Sequence, residues 1–226
     1  MKTKLIFVRH GESDYNLRRL CQGQVDSHLT PKGKKQALST AEHLKDLNID
    51  VIYSSPLQRA AMTAEIIKGK RELKIRFDDR LKEINLGQWE GLEIDKIKVI
   101  DPVGFEQWEQ TPHIYSVAGG ETLQQVYDRA SQALKDILDQ NQGKTILVAA
   151  HMIAIMLMLV FLSGESLDNV WNIGKQPNSA ITIVEINSLG QVDFLLKGDN
   201  SHLQEADIEI PDWEPPATGI PVTCPV

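Results

Sequence analysis

The chain has 226 residues and a formal net charge of −7, which fits one α/β domain or a core with an inserted subdomain. The negative charge argues against nucleic acid or an anionic membrane as the main partner. The longest apolar run, 152–162, is too short to span a bilayer, and the first apolar run is too short for a secretory signal. Cys21 and Cys224 lack metal-type spacing and are typical of free thiols. We therefore expect a cytoplasmic protein.

The first predicted strand carries polar side chains to its carboxyl end. Residues 5–8 are apolar and partly β-branched, and Arg9 and His10 follow them directly. In open α/β sheets, ligands bind beyond the carboxyl ends of parallel strands. Arg9 and His10 are therefore candidate site residues, although an ordinary strand followed by a polar loop would show the same pattern.

The next segments predict a βαβ unit. The connection 13–31 is polar and can bind a ligand through irregular backbone. Thr30 and Pro31 predict the N-cap and first residue of a helix, and 50–54 predicts the second strand, so the sheet should be parallel. Five apolar residues at helical spacing predict one buried helix face. They are Ala37, Leu38, Ala41, Leu44 and Leu47.

A second helix start predicts a basic residue near the same crevice. Ser55 can cap this helix and Pro56 can begin it, which places Arg59 in the first turn. The helix dipole disfavours a cation there, and a bound phosphate would compensate. The alternative is a surface ion pair of Arg59 with Glu65 or Asp50.

A later strand ends in a second histidine. Residues 145–150 are apolar, His151 follows them, and a Met-rich apolar helix comes next. Two histidines that each lie one residue past a buried strand predict two groups that face each other across a crevice. The Met-rich helix is more typical of a core than of an interface.

The middle and the end of the chain predict smaller elements. Segment 87–119 contains several aromatic residues, and Pro102 and Pro112 break its periodicity. It predicts either an inserted lid whose walls suit an apolar or ring-bearing leaving group, or a small satellite core. A capping box at Thr122 begins a long amphipathic helix, and 180–186 and 192–196 predict a strand pair. We expect one domain over 1–198 and an extended, Pro-rich tail over 199–226.

Several motifs together resemble the histidine phosphatase superfamily, the phosphoglycerate-mutase-like proteins. The resemblance covers about residues 3–197. The matching stretches, in chain order, are Arg9-His10-Gly11-Glu12-Ser13 with Asn16, then 53–60, 81–91, Gly120-Glu121-Thr122, His151 and Asn178-Ser179-Ala180-Ile181.

The resemblance implies a three-layer α/β/α sandwich with a mostly parallel sheet, a small inserted lid and a phosphohistidine mechanism. His10 would be the nucleophile, with its other ring nitrogen held by a backbone carbonyl. Arg9, Arg59 and His151 would surround the phosphoryl group, and Asn16 would add a neutral donor. Contacts from Gln22, Gly23 and Met152 complete the predicted binding site. This arrangement requires no metal and no cofactor.

The resemblance also implies that Glu83 is the general acid and then the base that activates water. The residues alone leave the acid open among Asp78, Asp79, Glu83 and Glu90. A protonated carboxyl at neutral pH requires a raised pKa, which burial or a nearby phosphate can supply.

The chain departs from the family pattern after the second histidine. The family commonly has glycine there and an arginine a few residues further on, whereas this chain has Met152 and an apolar run. The Met152 amide can still donate to phosphate, but its side chain would narrow the pocket or alter the turn.

Three functions follow, in order of preference. The first is a phosphatase that hydrolyses small phosphomonoesters, because the segment between Glu83 and His151 is short for a mutase of this family. The second is a cofactor-dependent phosphoglycerate mutase. The third is a catalytically weak domain that binds a phosphorylated ligand, although a binder would need neither the nucleophile nor the proton donor. The expected partner is a small phosphorylated substrate, and the chain could be a monomer or a homodimer.

Overall fold

A computed structural model of the chain describes residues 1–204 and 207. Within these residues the strands are β1 (Thr3–Arg9), β2 (Val51–Ser54), β3 (Ile75–Phe77), β4 (Thr145–Ala150), β5 (Ile181–Ile186) and β6 (Val192–Asp199). They form one sheet in the order β3-β2-β4-β1-β5-β6. The first four pair in parallel, and β5 and β6 add an antiparallel edge. The predicted, mostly parallel sheet is confirmed.

Helices cover both faces of this sheet. The helices are α1 (Asp14–Leu17), α2 (Pro31–His43), α3 (Gln58–Lys68), α4 (Ile94–Ile100), α5 (Pro102–Gln110), α6 (Leu123–Gln140) and α7 (Met152–Ser163). Short 3₁₀ turns lie at Asp79–Leu81, Gly87–Trp89 and Leu167–Asn172. None of the helices in the described part of the chain is long and apolar enough to cross a bilayer.

Alternation along β1 divides the core into two layers. Leu5 and Phe7 pack in the cluster that contains α6 and α7, whereas Ile6 and Val8 pack in the cluster that contains residues of α3. Successive side chains of a strand point to opposite faces, so β1 is buried on both sides. The three-layer α/β/α prediction is confirmed.

The long helix α6 forms as its sequence predicts. Thr122 caps it, and the Thr122 and Gln125 side chains satisfy each other's backbone amides in a capping box. Six apolar residues at helical spacing form its buried face: Leu123, Val126, Ala130, Ala133, Leu134 and Ile137. This helix and the almost wholly buried α7 make one side of the sandwich.

Two details of the predicted helices are wrong. Thr30 does cap α2, but Leu38 is 60% exposed because it lies one residue, about 100° of helix, past the buried Ala37. The next helix begins at Gln58 instead of Pro56. Ser55 is still held at the end of β2, because its amide donates to the Ala149 carbonyl at 3.0 Å.

Segment 87–119 folds into α4 and α5 with Pro102 as the first residue of α5 and Asp101 as its cap. Trp89, Phe105 and Trp108 belong to the same apolar cluster as β1, so they do not form a separate satellite core. The role of this segment as a lid stays a prediction, as does the domain boundary at residue 198.

The beginning of the predicted tail contacts α2. Gln36 Nε2 donates to the Asp207 carbonyl at 2.6 Å, and the His202 ring lies 3.0 Å from the Thr40 hydroxyl. The last sixteen residues, predicted to be extended, lie outside the described residues.

Candidate active site

The sheet brings the two predicted histidines together. Strands β1 and β4 are parallel neighbours, with Arg9 opposite Ala150, so the residues that follow them meet at one edge. The His10 and His151 rings lie 5.2 Å apart, centroid to centroid, and both are buried. This edge is the expected position of a ligand site in a parallel sheet.

The His10 ring is held in one orientation. Its Nδ1 lies 2.7 Å from the Gly11 carbonyl, an acceptor, which assigns the proton to Nδ1 and leaves Nε2 with a lone pair. Burial, and then the positive charges of Arg59 and Arg9, hold the His10 pKa well below its usual value. The imidazole is therefore neutral, as a nucleophile must be.

The turn after His10 requires glycine. A Cβ on Gly11 would lie 2.3 Å from the Gly33 carbonyl oxygen, closer than any real contact. The Gly11 amide donates to the Thr63 hydroxyl of α3 at 3.1 Å. The loop that carries His10 thus packs closely against α2 and is hydrogen-bonded to α3.

Arg59 is buried at the first turn of α3. Its guanidinium donates to the Gly23 and Val25 carbonyls at 2.8 and 2.9 Å, and its Nε lies 3.3 Å from His10 Nε2. Burial lowers the Arg59 pKa to about 10, so the group is still charged at neutral pH. The alternative of a surface ion pair is therefore wrong, since the side chain is buried and faces His10.

Arg9 and the His10 backbone are held by a loop before β5. Arg9 Nη1 donates to the Gln176 carbonyl at 2.8 Å. The Asn178 side chain and the Ser179 amide both donate to the His10 carbonyl, at 2.9 and 3.2 Å. The motif at 178–181 is visible in the sequence, but its contacts with the His10 carbonyl depend on the fold.

His151 makes one side-chain hydrogen bond at its ring. Its Nε2 lies 2.8 Å from the Ser55 hydroxyl, whereas its buried Nδ1 has no hydrogen-bond partner among the described residues. Burial holds the His151 pKa well below its usual value. The Ser55 hydroxyl accepts from the Leu57 amide at 3.3 Å and keeps its own proton to donate. We assign that proton to the bond with Nε2, which places the His151 proton on Nδ1.

The loop after β1 supplies Asn16, Gln22 and Gly23. The Asn16 Oδ1 accepts from the Ser13 amide at 3.1 Å, which leaves its amide nitrogen as a donor. Gln22 Oε1 accepts from the Ser13 and Ser27 hydroxyls at 2.9 and 3.0 Å. All three predicted residues line the same cavity as His10.

Glu83 is the carboxyl that the structure places in this cavity. It is held by the Ile84 amide at 3.0 Å and by the Ile153 and Ala154 amides of α7, both at 3.3 Å. Burial raises its pKa above the usual value. Glu83 therefore keeps a proton to higher pH than an exposed glutamate does.

The other three candidate acids have different contacts. Asp78 forms an ion pair with Arg80 at 2.7 Å, and Asp79 forms one with Lys82 at 2.7 Å. Glu90 accepts from the amides of Gln24 and Leu86 at 2.8 and 3.0 Å. These contacts account for the three carboxylates as structural groups.

An ion pair behind Glu83 was missed in the sequence. Arg129 donates to both carboxylate oxygens of Glu121 at 2.9 Å and to the carbonyls of Lys82 and Glu83 at 2.7 and 2.8 Å. Glu121 also accepts from the Asn85 amide at 2.9 Å. Arg129 is a polar residue of the amphipathic helix α6, and helical periodicity marks only its apolar positions. The sequence pattern therefore gives no signal for this role.

These groups surround a cavity of about 450 Å³. Its lining includes every predicted site residue except His151, whose ring centroid lies 5.2 Å from that of His10. The Met152 side chain lines it too, whereas the nearby α7 amides bind Glu83. Among the described residues, no group of three or more histidine, cysteine, aspartate or glutamate side chains is arranged to hold a metal ion.

A family model described as "Histidine phosphatase superfamily (branch 1)" matches residues 5–195. This chain belongs to that superfamily. The predicted resemblance is confirmed, and the histidine phosphatase is 34% identical over 206 residues to Phosphoserine phosphatase 1 of Hydrogenobacter thermophilus. That match covers 91% of this chain and 97% of the relative.

Two further matches place this histidine phosphatase within the family. It is 36% identical over 161 residues to Probable phosphoglycerate mutase GpmB of Salmonella choleraesuis, over 71% of this chain and 75% of the relative. The solved structure of Bacillus stearothermophilus YhfR superposes with a TM-score of 0.85 at 36% identity, over 89% of this chain and 100% of that chain. The relative named as a phosphatase therefore matches more of the chain than the one named as a mutase, which favours a phosphatase.

Proposed function

We propose that this histidine phosphatase hydrolyses small phosphomonoesters through a covalent phosphohistidine on His10. The observation that carries the proposal is the His10 ring, neutral and oriented by the Gly11 carbonyl at 2.7 Å, with its Nε2 beside the Arg59 guanidinium at 3.3 Å. A neutral imidazole next to a fixed cation is suited to attack an anionic phosphorus centre.

Four groups would neutralise charge on the transferring phosphoryl group. Arg9 and Arg59 supply two positive charges, and the buried His151 Nδ1 and the Asn16 amide supply neutral donors. Their positions are set by backbone carbonyls and by Ser55, so little reorganisation is needed during transfer. Gly23 orients Arg59 through its carbonyl, Gln22 orders the loop, and Met152 forms part of the wall.

Glu83 would then move the proton in both steps. In the first step His10 Nε2 bonds to phosphorus, the ester P–O bond breaks, and the Glu83 proton goes to the leaving alkoxide. In the second step water attacks phosphorus, Glu83 takes a water proton, and the P–N bond breaks to regenerate neutral His10 and release phosphate. The buried Glu83, with its raised pKa, suits the first of these roles.

The phosphatase reaction is preferred over mutase transfer because the relative named as a phosphatase aligns with 91% of the chain. Phosphoserine, which that relative's name contains, is therefore a compound to test first. The mutase remains the second candidate, supported by the 36% identity to the protein named GpmB.

The test compares wild type, His10→Ala and the control His28→Ala, since His28 is an exposed histidine. Substrates are p-nitrophenyl phosphate, phosphoserine and 3-phosphoglycerate, and the readouts are free phosphate and acid-labile phosphoprotein. We expect phosphate release and a phosphoprotein from wild type and His28→Ala alone. Conversion of 3- to 2-phosphoglycerate with little free phosphate would instead establish a mutase. If wild type and His10→Ala both showed only background rates with every substrate, the result would favour the third candidate, a domain that binds a phosphorylated ligand.

A further inference from the structure

The walls of the active-site cavity beyond His10 and the arginines are mostly apolar. They come from separate parts of the chain: the segment 84–94, helix α5, helix α7 and the 3₁₀ turn Leu167–Asn172. Six of the apolar lining residues are Leu86, Trp89, Ile94, Phe105, Trp108 and Trp171. Apolar side chains from four segments thus converge on one side of the phosphate-binding groups.

The cavity as a whole is too large to be a packing defect. Protein interiors contain few voids larger than a water molecule, whereas the cavity holds about 450 Å³. That volume is in the range of small-molecule sites. A substrate with only a few atoms beyond its phosphate would leave much of the apolar wall in contact with water.

The aromatic wall is preformed. Trp108 packs edge-on against both Trp89 and Trp171, with ring centroids 6.3 and 5.7 Å apart. The Trp89 indole N–H donates to the Asp101 carboxylate at 3.1 Å. An apolar ligand would therefore meet ordered rings and would not have to order them on binding.

The charges around the cavity do not fit an amino-acid leaving group. Among the lining residues that the structure describes, Glu83 is the one carboxylate, and three backbone amides already bind it. A second carboxylate to pair with a substrate ammonium group is therefore missing from this set, and the cations Arg19 and Lys175, which also line the cavity, would repel that group. Cys21 adds no charge either, because burial raises the pKa of its thiol to about 12.

We propose that the preferred substrates are phosphate monoesters of apolar, ring-bearing alcohols, and that amino-acid phosphates are poor ones. The apolar wall contacts the leaving group while His10 and the two arginines contact the phosphoryl group. This specificity rests on the proposed function, since it concerns the leaving group of the same reaction.

The test uses pairs that differ in the apolar group alone. Ethyl phosphate and 2-phenylethyl phosphate both release a primary alcohol of similar acidity, so a difference in rate reports binding of the ring and not leaving-group chemistry. Burial of one Phe-sized group predicts an increase in kcat/KM of about 10- to 100-fold for the phenylethyl ester. Phosphoserine should be hydrolysed no faster than ethyl phosphate.

Binding is measured separately from turnover. Propylphosphonate and 3-phenylpropylphosphonate are the corresponding compounds in which a C–P bond replaces the ester, so they bind without being hydrolysed. Calorimetric titration of the full chain should give a Kd about 10- to 100-fold lower for the phenyl compound.

Two positions on α4 provide matched variants. Ile94 lines the cavity, whereas Val99 is 79% exposed. Ile94→Ser should reduce the phenylethyl-to-ethyl ratio of kcat/KM about 3- to 10-fold, Ile94→Leu should restore it, and Val99→Ser should leave it unchanged. Because the readout is a ratio of two substrates on one protein, a loss of folded protein cancels.

The outcomes separate the two proposals. Turnover of all esters with equal kcat/KM for ethyl and phenylethyl phosphate, or a preference for phosphoserine, would overturn the specificity and leave the phosphatase function intact. Absence of turnover combined with tight binding of the phenyl phosphonate would overturn the function while supporting the apolar site. Equal binding of the two phosphonates would overturn the apolar site.

Discussion

The guanidinium of Arg129 donates from Nη2 to the backbone carbonyl of Glu83 at 2.8 Å. Its other hydrogen bonds reach the Arg80 and Lys82 carbonyls and both oxygens of Glu121, which in turn accepts from the Asn85 amide. The residues on both sides of the proposed acid are thus bound to one ion pair. Arg129 touches no reacting atom and acts as a positioning residue for Glu83.

We expect Arg129→Ala to slow the hydrolysis of alkyl phosphates more than that of aryl phosphates. An alkoxide needs a proton as it leaves, whereas p-nitrophenolate does not, so a displaced Glu83 matters mainly for the alkyl ester. General acid catalysis contributes about 10²- to 10⁴-fold, and partial loss predicts a fall in kcat/KM, which reports the step in which the leaving group departs, of about 10- to 100-fold for ethyl phosphate. The kcat/KM for p-nitrophenyl phosphate should change much less.

Arg71→Ala is the matched control for this variant. Arg71 also donates to backbone carbonyls, those of Ile67 and Leu44 at 2.8 Å, but it is not among the residues that line the cavity. Its removal should leave the ratio of the two substrates unchanged. Equal losses on both substrates in Arg129→Ala would show that the arginine is a general stabiliser and does not position the acid.

The hydroxyl of Ser55 sets the proton position on His151. With Ser55 donating to Nε2 at 2.8 Å, the His151 proton stays on Nδ1 and can be donated to the phosphoryl group. Ser55→Ala removes this preference, so we expect kcat to fall about fivefold or more with a smaller change in KM, as for the loss of one oriented donor. Long-range ¹H–¹⁵N NMR of the imidazoles would show the change of tautomer.

Ser54→Ala is the control for Ser55→Ala. The Ser54 hydroxyl is equally buried and donates to the Ser55 carbonyl at 2.8 Å, without contact to His151. It should keep both the kcat and the tautomer of wild type. An unchanged His151 tautomer in Ser55→Ala would contradict the assignment.

The pH dependence of turnover follows from Glu83 and His10. Glu83 must be protonated to donate to the leaving group, and burial raises its pKa, so kcat/KM should fall with rising pH through a value above the usual 4.5 of a glutamate. His10 must be neutral, and its pKa is well below 6.5. Protonation of His10 therefore limits the rate at lower pH than for an exposed histidine.

Glu83→Gln should abolish the alkaline fall. Glutamine cannot donate a proton in this step, so ethyl phosphate turnover should drop about 10²- to 10⁴-fold and lose that limb of the profile. Ionisation of the substrate affects both enzymes equally, which makes the difference between the two profiles the informative measurement. If the fall of kcat/KM at alkaline pH persisted in Glu83→Gln, the titrating group that causes it would be a group other than Glu83.

The fold was predictable where the pattern of apolar residues is strict. The six buried positions of α6 and the strand ends before His10 and His151 follow from periodicity and from sheet topology. The start of α3 could not be predicted in this way. Ser55-Pro56 has the composition of a helix start, but the Ser55 amide still donates to the Ala149 carbonyl at the end of the sheet. Periodicity also misplaced Leu38, because an apolar side chain can lie on an exposed helix face.

The sequence motifs pointed to the candidate reacting groups, which line one cavity, but not to the contacts that hold them. His10, Arg59 and Glu83 lie in motifs of consecutive residues, whereas Arg129 and Ser55 act through partners 46 and 96 positions away in the chain. Such contacts depend on how α6 and β2 pack in three dimensions. Their residue types, a helix arginine and a loop serine, are common on any surface.

Met152 provides a test of how the wall next to the nucleophile limits substrate shape. It is the first residue of α7, lines the cavity and stands where the family pattern has glycine. Met152→Gly removes a side chain beside the phosphate-binding groups, so we expect the kcat/KM of the branched ester neopentyl phosphate to rise relative to ethyl phosphate. Stability should fall by about 0.5–1 kcal/mol or more, because glycine in a helix is entropically unfavourable and an apolar contact is lost.

The control is Met62→Gly, on α3, where the side chain is 37% exposed and does not line the cavity. Glycine at position 62 would lie inside α3, where it costs about 0.5–1 kcal/mol. Denaturant unfolding should therefore show a loss of stability, while the neopentyl-to-ethyl ratio should stay at the wild-type value. A ratio that also stays unchanged in Met152→Gly would mean that the methionine side chain yields to bulky substrates, and that Ile153, Met156 and the tryptophans set the width of the cavity instead.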